Sequence, residues 1–363
     1  MTPKTRYQRD LQRVGFHYDS AQDLASDLLD ALYHQVIKHD RVSPLRGLWN
    51  RLSGRSMEPV TGLYLWGGVG RGKTLLMDNF YECLPITQKQ RIHFYRFMRD
   101  IHAWLRKFHG EVDPLERIGC DLAKRTRVLC FDEFFVSDIT DAMILAGVLR
   151  SVFDNGVILL ATSNTHPDEL YKNGLQRDQF EPAIEMIKRN MTIIRLDGDK
   201  DYRLQLLARA EIYHHPLDEA ADAKLAEHLE RLTNKKYRHE ATIEVLGRHI
   251  PVRACGEGVC WFEFQEICTA PRSHTDYVEL SRYLHTALIS AVPILDDQRN
   301  DETRRFIQLV DEFYDRSVNL ILSAAAPPHN LYRGTRLYDD FQRTASRLTE
   351  MQSTEYLSRE HRP

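Results

Sequence analysis

The segment Gly67–Thr74 constrains this chain more than any other, because it fits the pattern G-x-x-x-x-G-K-[S/T]. The apolar run Gly62–Trp66 before it predicts a strand, and the residues from about Lys73 to Cys83 predict a helix. Between a strand and a helix, such a loop turns its backbone N–H groups and the helix N-terminus towards phosphate. The sequence therefore predicts a phosphate-binding loop made of Gly67, Gly68, Val69, Gly70, Arg71, Gly72, Lys73 and Thr74.

Two side chains of this loop have predicted roles of their own. Lys73 is expected to reach the β- and γ-phosphates, and the Thr74 hydroxyl is expected to ligate Mg²⁺. The expected nucleotide is ATP, since guanine recognition normally uses Asn-Lys-x-Asp. The only Asn-Lys pair of the chain, Asn234-Lys235, is followed by Lys236-Tyr237 instead.

A pair of acids follows a second apolar run. Val128–Phe131 predicts a buried strand, which would deliver Asp132 and Glu133 to the carboxyl edge of the sheet. Asp132 is expected to hold Mg²⁺ through its water shell, and Glu133 to polarise the attacking water. Such a pair is often only a solvated strand end, but its position about sixty residues after the phosphate loop favours the catalytic interpretation.

Three further sites have weaker sequence signals. Asn164 ends the next predicted strand and could orient water near the γ-phosphate. Arg177 lies between that strand and the following one, so it could serve the site of a neighbouring subunit; the alternative is a surface arginine. Arg304 and Arg305 are candidates for a lid arginine that senses the γ-phosphate, or for pairing with acidic neighbours.

The order of elements predicts an α/β fold of the P-loop NTPase type. Short apolar strands alternate with amphipathic helices, which indicates a parallel sheet with helices on both faces. The predicted domains are an N-terminal helical segment (1–56), the P-loop core (57–198), and a lid with a C-terminal α+β domain (199–363). In the first of these, one helix face is expected to hold Leu24, Leu28, Leu32 and Val36, with Leu29 and Tyr33 beside it.

The last domain has its own expectations. Helices are predicted over Leu217–Leu232, Asp276–Leu288 and Asp301–Tyr314, a hairpin over Ala241–Val252, and a final strand over Val318–Leu322. The chain after Pro327-Pro328 is expected to be partly loose. No convincing internal repeat is found, because Leu320–Ala324 only faintly echoes Leu159–Ser163 and short apolar strands resemble one another by default.

Composition limits the partners and the location. With 49 basic and 52 acidic residues the formal net charge is −3, which disfavours bulk nucleic-acid binding. The six cysteines, Cys255, Cys260 and Cys268 among them, lack C-x-x-C spacing, and no histidines have H-E-x-x-H spacing, so no metal site is predicted from them. The cysteine usage favours a reducing compartment. Without an apolar signal region or a run long enough to span a bilayer, the expected location is the cytoplasm.

Longer stretches carry a family resemblance. They are Gly62–Asp78 (GLYLWGGVGRGKTLLMD), Leu129–Leu145 (LCFDEFFVSDITDAMIL), Gly156–Asn164, Leu170–Phe180, Asp201–Arg203 and Arg304–Asp315. Together they span nearly the whole chain, and it resembles the AFG/ZapE-type ATPases, a branch of the AAA+ class. The Phe131–Leu145 run is much more specific than the phosphate loop. One departure is Tyr95, where the family more often has a second histidine, which leaves the role of that position open.

The resemblance implies one AAA+ module with a C-terminal domain, and Mg²⁺-dependent ATP hydrolysis in a homo-oligomer. It also implies a cytoplasmic role at the bacterial division ring, acting on FtsZ, while mitochondrial relatives act in membrane-protein quality control. Three interpretations therefore compete. An ATP-driven remodeller of a protein partner fits best. A nucleic-acid-associated AAA+ loader is disfavoured by the net charge, and an ATP-gated adaptor with slow turnover is disfavoured by Glu133.

Overall fold

A computed structural model of the chain describes residues 1–12, 18–40, 60–68, 70–108, 110, 113–136, 138–172, 174–196, 211–233, 237–256, 258–359 and 361–362. The chain divides into two units, Met1–Lys200 and Asp201–Pro363. Several sequence predictions lie outside the described residues. These are the domain boundaries at 56–57 and 198–199, the loop residue Val69 and the Asp201–Arg203 motif.

The first unit is built on a parallel sheet of five strands. These are β1 (Gly62–Trp66), β2 (Lys89–His93), β3 (Val128–Asp132), β4 (Ile158–Ser163) and β5 (Met191–Arg195). They lie in the order β2-β3-β4-β1-β5, and every neighbouring pair is parallel. Because parallel strands end at the same edge, the loops after β3, β4 and β1 lie side by side. The predicted parallel α/β sheet is confirmed.

Helices cover both faces of this sheet. They are α1 (Pro3–Asp10), α2 (Ser20–Asp40), α3 (Lys73–Cys83), α4 (Phe94–Lys107), α5 (Pro114–Arg125), α6 (Ile139–Asp154) and α7 (Glu181–Asn190). Successive strand residues point to opposite faces, so Leu63 and Leu65 of β1 pack with residues of α1, α2 and α3. Tyr64, between them, packs with residues of α4 to α7 on the other face. The predicted two-faced cover is confirmed.

Helix α2 buries a different stripe from the expected one. Ala25, Leu29, Leu32 and Val36 are fully or nearly fully buried, at the helical spacing of one face. Leu24, expected on that face, is 57% exposed. The sequence contains two overlapping apolar stripes, and packing against β1 and α3 selects the one that begins at Ala25.

The second unit is built on a six-stranded mixed sheet. Its strands are β6 (Tyr213–His214), β7 (Tyr237–Val245), β8 (Arg248–Gly256), β9 (Val259–Glu263), β10 (Thr286–Val292) and β11 (Asn319–Ala324). They lie in the order β6-β11-β10-β9-β8-β7. The neighbouring strands β6, β11, β10 and β9 pair in parallel. The pairs β9–β8 and β8–β7 are antiparallel. The predicted hairpin is therefore present, as β7 and β8.

The helices of the second unit are α8 (Glu219–Leu232), α9 (His274–Tyr283), α10 (Asn300–Asp315), α11 (Tyr338–Glu350) and the short α12 (Thr354–Leu357), with a π-helical turn at Gln265–Thr269. Leu225 and Leu229 of α8 pack in a core cluster with residues of β9, β10 and β11.

Two predictions for this unit are wrong. The helix expected over Asp276–Leu288 ends at Tyr283, and Thr286–Val292 is the strand β10 instead. The end of the chain, expected to be partly loose, packs into the core through residues such as Phe341, Leu348 and Tyr356. Both errors arise because apolar residues in short runs fit a helix, a strand or a loose segment equally well until packing decides.

The second unit contains both paired and free cysteines. Cys255 of β8 lies opposite Cys260 of β9, and the two form a disulfide. Cys268 is a free, buried thiol. Among the described residues, no cluster of three or more His, Cys, Asp or Glu side chains could hold a metal ion. No helix in the described ranges is long and apolar enough to cross a membrane.

Candidate active site

The loop between β1 and α3 turns at glycines in the left-handed region. Gly67 has φ 148° and Gly72 has φ 80°, conformations that side chains rarely adopt. A Cβ on Gly67 would lie 2.5 Å from the carbonyl oxygen of the residue after β5, and one on Gly72 would lie 2.8 Å from the Gln22 amide. Gln22 Nε2 also donates to the carbonyl of Arg71 at 3.0 Å. The glycines therefore let the loop close tightly, and α2 supports it.

Lys73, the first residue of α3, is buried and lies at the centre of this loop. Its ammonium donates to the carbonyls of Gly67 (2.5 Å) and Gly68 (2.7 Å) and to Oδ1 of Asn164 (2.8 Å). Asn164 directly follows β4, so one ammonium joins the ends of two neighbouring strands. Thr74, the next residue of α3, is exposed. The fold thus brings Lys73 and Asn164, both singled out in the sequence, into direct contact.

Asp132 is the last residue of β3 and is 2% exposed. Arg91 of β2 donates to its Oδ2 from Nε (2.7 Å) and from Nη2 (2.6 Å). The Thr162 hydroxyl of β4 donates to its Oδ1 at 3.3 Å. Arg91 also pairs with Asp78 of α3. Both carboxylate oxygens of Asp132 are therefore held, and one guanidinium connects β3 with the helix that follows the phosphate loop.

Glu133 turns away from the strand that precedes it. Its φ is 51°, and its N–H donates to the Thr162 hydroxyl at 3.1 Å. Its side chain lies 3.0 Å from Nε2 of His93, the last residue of β2. Burial alone would lower the pKa of His93, but the hydrogen bond and negative charge of Glu133 outweigh it, so this pKa is raised. The imidazole is thus disposed to carry the positive charge that faces Glu133.

Four further residues belong to this site and were not predicted from the sequence: Asp78, Arg91, His93 and Thr162. A signal was present, because Arg91 and His93 stand two residues apart in a short strand and must point to the same face. Two ionisable side chains on one face of a strand beside β3 indicate partners for the acids that end β3. No strand that includes Arg91 was predicted from the sequence, whereas the observed β2 is Lys89–His93.

The candidate arginines lie among other partners. Arg177 begins a short 3₁₀ turn, donates to the carbonyl of Asp168, and has Nη1 3.8 Å from Glu181. Arg305 of α10 donates to the carbonyl of Cys268 at 3.0 Å, and Arg304 on the same helix is exposed. In the described chain Arg305 therefore donates to the backbone carbonyls of Cys268 and Thr269 rather than to an acidic neighbour. The structure does not bring Arg177 into contact with Lys73, Asp132 or Glu133 within the described chain.

The residues at this edge have the chemistry that a magnesium–nucleotide complex needs. The N-terminus of α3 and the Lys73 ammonium supply positive charge for phosphate. The Thr74 hydroxyl and the Asp132 carboxylate are oxygen donors of the kind that Mg²⁺ prefers. On Gly68 an added Cβ would meet no atom closer than 3.7 Å, so the loop has room on this side. The donor set therefore fits both groups.

The chain is similar to known proteins over nearly its whole length. The family model of the AFG1-like ATPases matches residues 1–360. The cell division protein ZapE of Escherichia coli K12 is 42% identical over 369 residues, covering 99% of this chain and 98% of that protein. The zebrafish (Danio rerio) lactation elevated protein 1 homolog B is 36% identical over 346 residues, covering 82% and 68% respectively.

Solved structures are more distant. A crystal structure of DnaI is 17% identical with a TM-score of 0.35, and covers 50% of this chain and 87% of that one. The assignment therefore depends on the sequence relatives, which cover nearly all of this chain. A family match over nearly its whole length, together with the 42% identity, identifies the protein as a member of the AFG1-like ATPase family.

Proposed function

We propose that this chain is a Mg²⁺-dependent ATPase that hydrolyses ATP to ADP and phosphate and uses the cycle to remodel a protein partner. The observation that carries the proposal is the convergence of Lys73, Asn164, Asp132 and Glu133 on the ends of neighbouring strands. Lys73 donates to the phosphate loop and to Asn164. The hydroxyl of Thr162, two residues before Asn164, bonds the Asp132 carboxylate and the backbone N–H of Glu133. Their proximity is what hydrolysis at a bound γ-phosphate requires.

Nucleotide binding would begin with the loop and Lys73. Without nucleotide, the Lys73 ammonium is satisfied by two loop carbonyls and the Asn164 amide oxygen. Phosphate oxygens carry more charge than these acceptors, so β- and γ-phosphate oxygens would replace the loop carbonyls as its partners. Asn164 would then be released to orient water near the γ-phosphate.

The metal would be held by Thr74 directly and by Asp132 through the water shell of the ion. Bound Mg²⁺ supplies positive charge that neutralises the phosphate oxygens as the bond breaks. Arg91 and Thr162 keep the Asp132 carboxylate in one orientation, because each of its oxygens has a fixed donor. This orientation is a positioning role, since neither residue would touch the nucleotide.

Hydrolysis would use Glu133 as the base. It would take a proton from the water whose oxygen attacks the γ-phosphorus, while the bond from that phosphorus to the bridging oxygen of ADP breaks. His93 holds the Glu133 side chain 3.0 Å away and would keep it from turning into solvent. Arg177 of a neighbouring copy would add positive charge to the transition state, which makes activity depend on ATP-promoted assembly of identical chains.

The partner is proposed from relationship. The E. coli relative is named a cell division protein, and the resemblance of the motifs implies action on FtsZ in the cytoplasm at the division site. Glu133 favours turnover over a purely ATP-gated adaptor. The net charge of −3 argues against nucleic acid as the principal partner.

The test uses the purified full chain. We expect it to release phosphate from ATP with Mg²⁺ but not with EDTA, and to change the amount of FtsZ polymer that sediments when ATP is present. Glu133→Gln with ATP serves as the control that binds nucleotide without turning it over. ATP hydrolysis without any effect on FtsZ would reject that partner, and no hydrolysis at any protein concentration would reject the proposed activity.

A further inference from the structure

The second sheet repeats the strand order of the first. The parallel run β9-β10-β11-β6 corresponds to β2-β3-β4-β1, and the chain enters the strands in the same sequence in both units. A helix follows the first strand of each set, α3 after β1 and α8 after β6. The hairpin β7–β8 is inserted between α8 and β9, and no described strand of the second sheet occupies the place of β5.

The boundaries of the elements agree as well as their order. Helices α6 and α10 have 16 residues each, and strands β4 and β11 have six each. A shift of 161 residues carries every boundary of α6 and β4 onto α10 and β11. Two unrelated helix–strand pairs have no reason to agree at all four boundaries.

Strand register then equates the residues one by one. One row of directly opposite residues crosses each sheet, and its members correspond: Ile92, Phe131, Ala161 and Tyr64 in the first, and Phe262, Ile289, Leu322 and Tyr213 in the second. In the next row, His93 lies opposite Asp132, and Glu263 lies opposite Ser290. Asp132 therefore corresponds to Ser290, and Glu133 to Ala291.

Side-chain hydrogen bonds recur at the equated positions. The Tyr64 hydroxyl donates to the carbonyl of Thr165 at 2.9 Å, and the Tyr213 hydroxyl donates to that of Ala326 at 2.8 Å. Similarly, the Glu133 N–H donates to the Thr162 hydroxyl at 3.1 Å, and the Ala291 N–H donates to the Ser323 hydroxyl at 3.0 Å. Glu133 and Ala291 also share a positive φ, 51° and 61°.

The segments after β4 and β11 match in the same way. Each continues into a 3₁₀ turn, Pro167–Glu169 and Pro328–Asn330. In each, a tyrosine shortly after the turn contacts a phenylalanine. The rings of Tyr171 and Phe180 meet edge-on with centroids 5.9 Å apart, and those of Tyr332 and Phe341 are stacked with centroids 5.2 Å apart. The faint sequence echo of these strands is thus one part of a much longer correspondence.

We infer that the second unit is a second copy of the P-loop fold from which the nucleotide chemistry is absent. The positions of Asp132, Glu133 and Asn164 are occupied by Ser290, Ala291 and Ala325. Between β6 and α8 the chain reads His-Pro-Leu-Asp, with neither glycine nor lysine, where the first unit has its phosphate loop. A phosphate, a metal ion and an attacking water would all lack their protein partners there.

The side-chain contacts of the first site are also replaced by different contacts in the second unit. Arg91 corresponds to Trp261, which donates from Nε1 to the Ser290 hydroxyl at 3.2 Å in place of the Arg91–Asp132 pair. His93 corresponds to Glu263. The position equivalent to Glu133 is Ala291, so the second sheet has no acidic side chain there. At the position of the Arg91–Asp132 pair, the second copy therefore keeps its backbone scaffold with the neutral pair Trp261–Ser290. The chain is expected to contain one nucleotide site.

The first arm of the test counts nucleotide sites on the full chain by isothermal titration calorimetry with Mg²⁺ and the non-hydrolysable analogue adenylyl imidodiphosphate. This arm rests on the proposed function of the first unit. We expect one analogue per wild-type chain and none for Lys73→Ala. Two per chain, or one retained by Lys73→Ala, would overturn the inference. No binding by the wild type would overturn the proposed function, and the second arm would then decide the inference alone.

The second arm tests the shared scaffold without nucleotide. Tyr64→Phe and Tyr213→Phe remove the two equivalent tyrosine hydroxyls, which donate to backbone carbonyls. Thr162→Ala and Ser323→Ala remove the two equivalent hydroxyls that accept from a backbone N–H. We expect both members of a pair to lower the melting temperature by a similar amount, about 2–4 °C for a unit of this size. Unchanged melting temperatures for Tyr213→Phe and Ser323→Ala, beside clear decreases for Tyr64→Phe and Thr162→Ala, would overturn the equivalence.

Discussion

The carboxyl edges of the two sheets share a scaffold and differ in charge. At the first, Lys73, Arg91, His93, Asp132 and Glu133 are ionisable residues with direct polar partners. At the second, the corresponding strand ends have small or uncharged residues, and Glu263 is the one carboxylate among the equated positions. The same backbone bonds to a hydroxyl on the neighbouring strand are made in both.

This difference separates what the fold needs from what the chemistry needs. The fold forms at the second edge with a Trp–Ser pair, so the Arg91–Asp132 pair is not required to build such a strand end. Burying a charged pair is costly, because both ions lose their water. The first edge therefore retains buried charge for a reason other than stability, and the proposed hydrolysis of ATP would supply that reason.

The largest expected effect comes from removing the one lysine of the charged edge. Lys73→Ala deletes the ammonium that would meet the β- and γ-phosphates, so ATP binding and turnover should both fall below detection while the fold is retained. Lys188→Ala, on the surface of α7, is the matched control and should behave as wild type. Phosphate release and circular dichroism measure both properties. Wild-type turnover by Lys73→Ala would remove the distinction between the two edges.

Arg177 tests whether the charged edge is complete within one chain. Arg177→Ala should bind ATP normally and hydrolyse it about 10³-fold more slowly, because a transition-state arginine contributes at least that much. Wild-type activity per chain should also rise with protein concentration. Mixing Arg177→Ala with Glu133→Gln should restore part of the activity, since some interfaces then pair an intact base with an intact arginine. If mixed assemblies form without recovery, Arg304 or Arg305 becomes the better candidate.

A smaller effect is expected from the residue that orients Asp132. Arg91→Met should raise the Mg²⁺ concentration for half-maximal turnover about 10- to 100-fold, the usual cost of losing a partner of a metal ligand. Arg91→Lys should restore little, because lysine cannot hold the carboxylate with a planar fork. Trp261→Phe removes the corresponding donor of the second edge. It should lower the melting temperature without changing the Mg²⁺ dependence, and an equal change in that dependence would contradict the comparison.

Much of the first unit could be predicted from the sequence because its signals are local. Gly67–Thr74 is a contiguous loop whose glycines and lysine have one common use, and Asp132-Glu133 directly follow an apolar run. The contact between Lys73 and Asn164 fits the expectation that parallel strands end at one edge of the sheet. The polar partners Arg91 and His93 could not be identified in this way, since their role depends on the register between β2 and β3.

The second unit was harder to predict from the sequence, because the signals that define its strands and helices are not local. Strand β10 continues the apolar pattern of α9, so a helix through Leu288 was predicted where the chain turns at Leu284 into the sheet. The repeat could not be predicted from the sequence for a related reason. Its two copies preserve register, element lengths and hydrogen bonds to backbone groups, while the residues that make a motif recognisable, such as Asp132 and Glu133, are the ones replaced.

The central claim is that ATP bound beside Lys73 is hydrolysed by Glu133, and the bound nucleotide tests it most directly. The full-length wild type and Glu133→Gln are incubated with Mg²⁺ and ATP, separated from free nucleotide, and their bound nucleotide is extracted and identified. We predict ADP from the wild type and ATP from Glu133→Gln, at one per chain, with conversion slowed by roughly 10²-fold or more. ADP formed by Glu133→Gln at the wild-type rate would contradict the account.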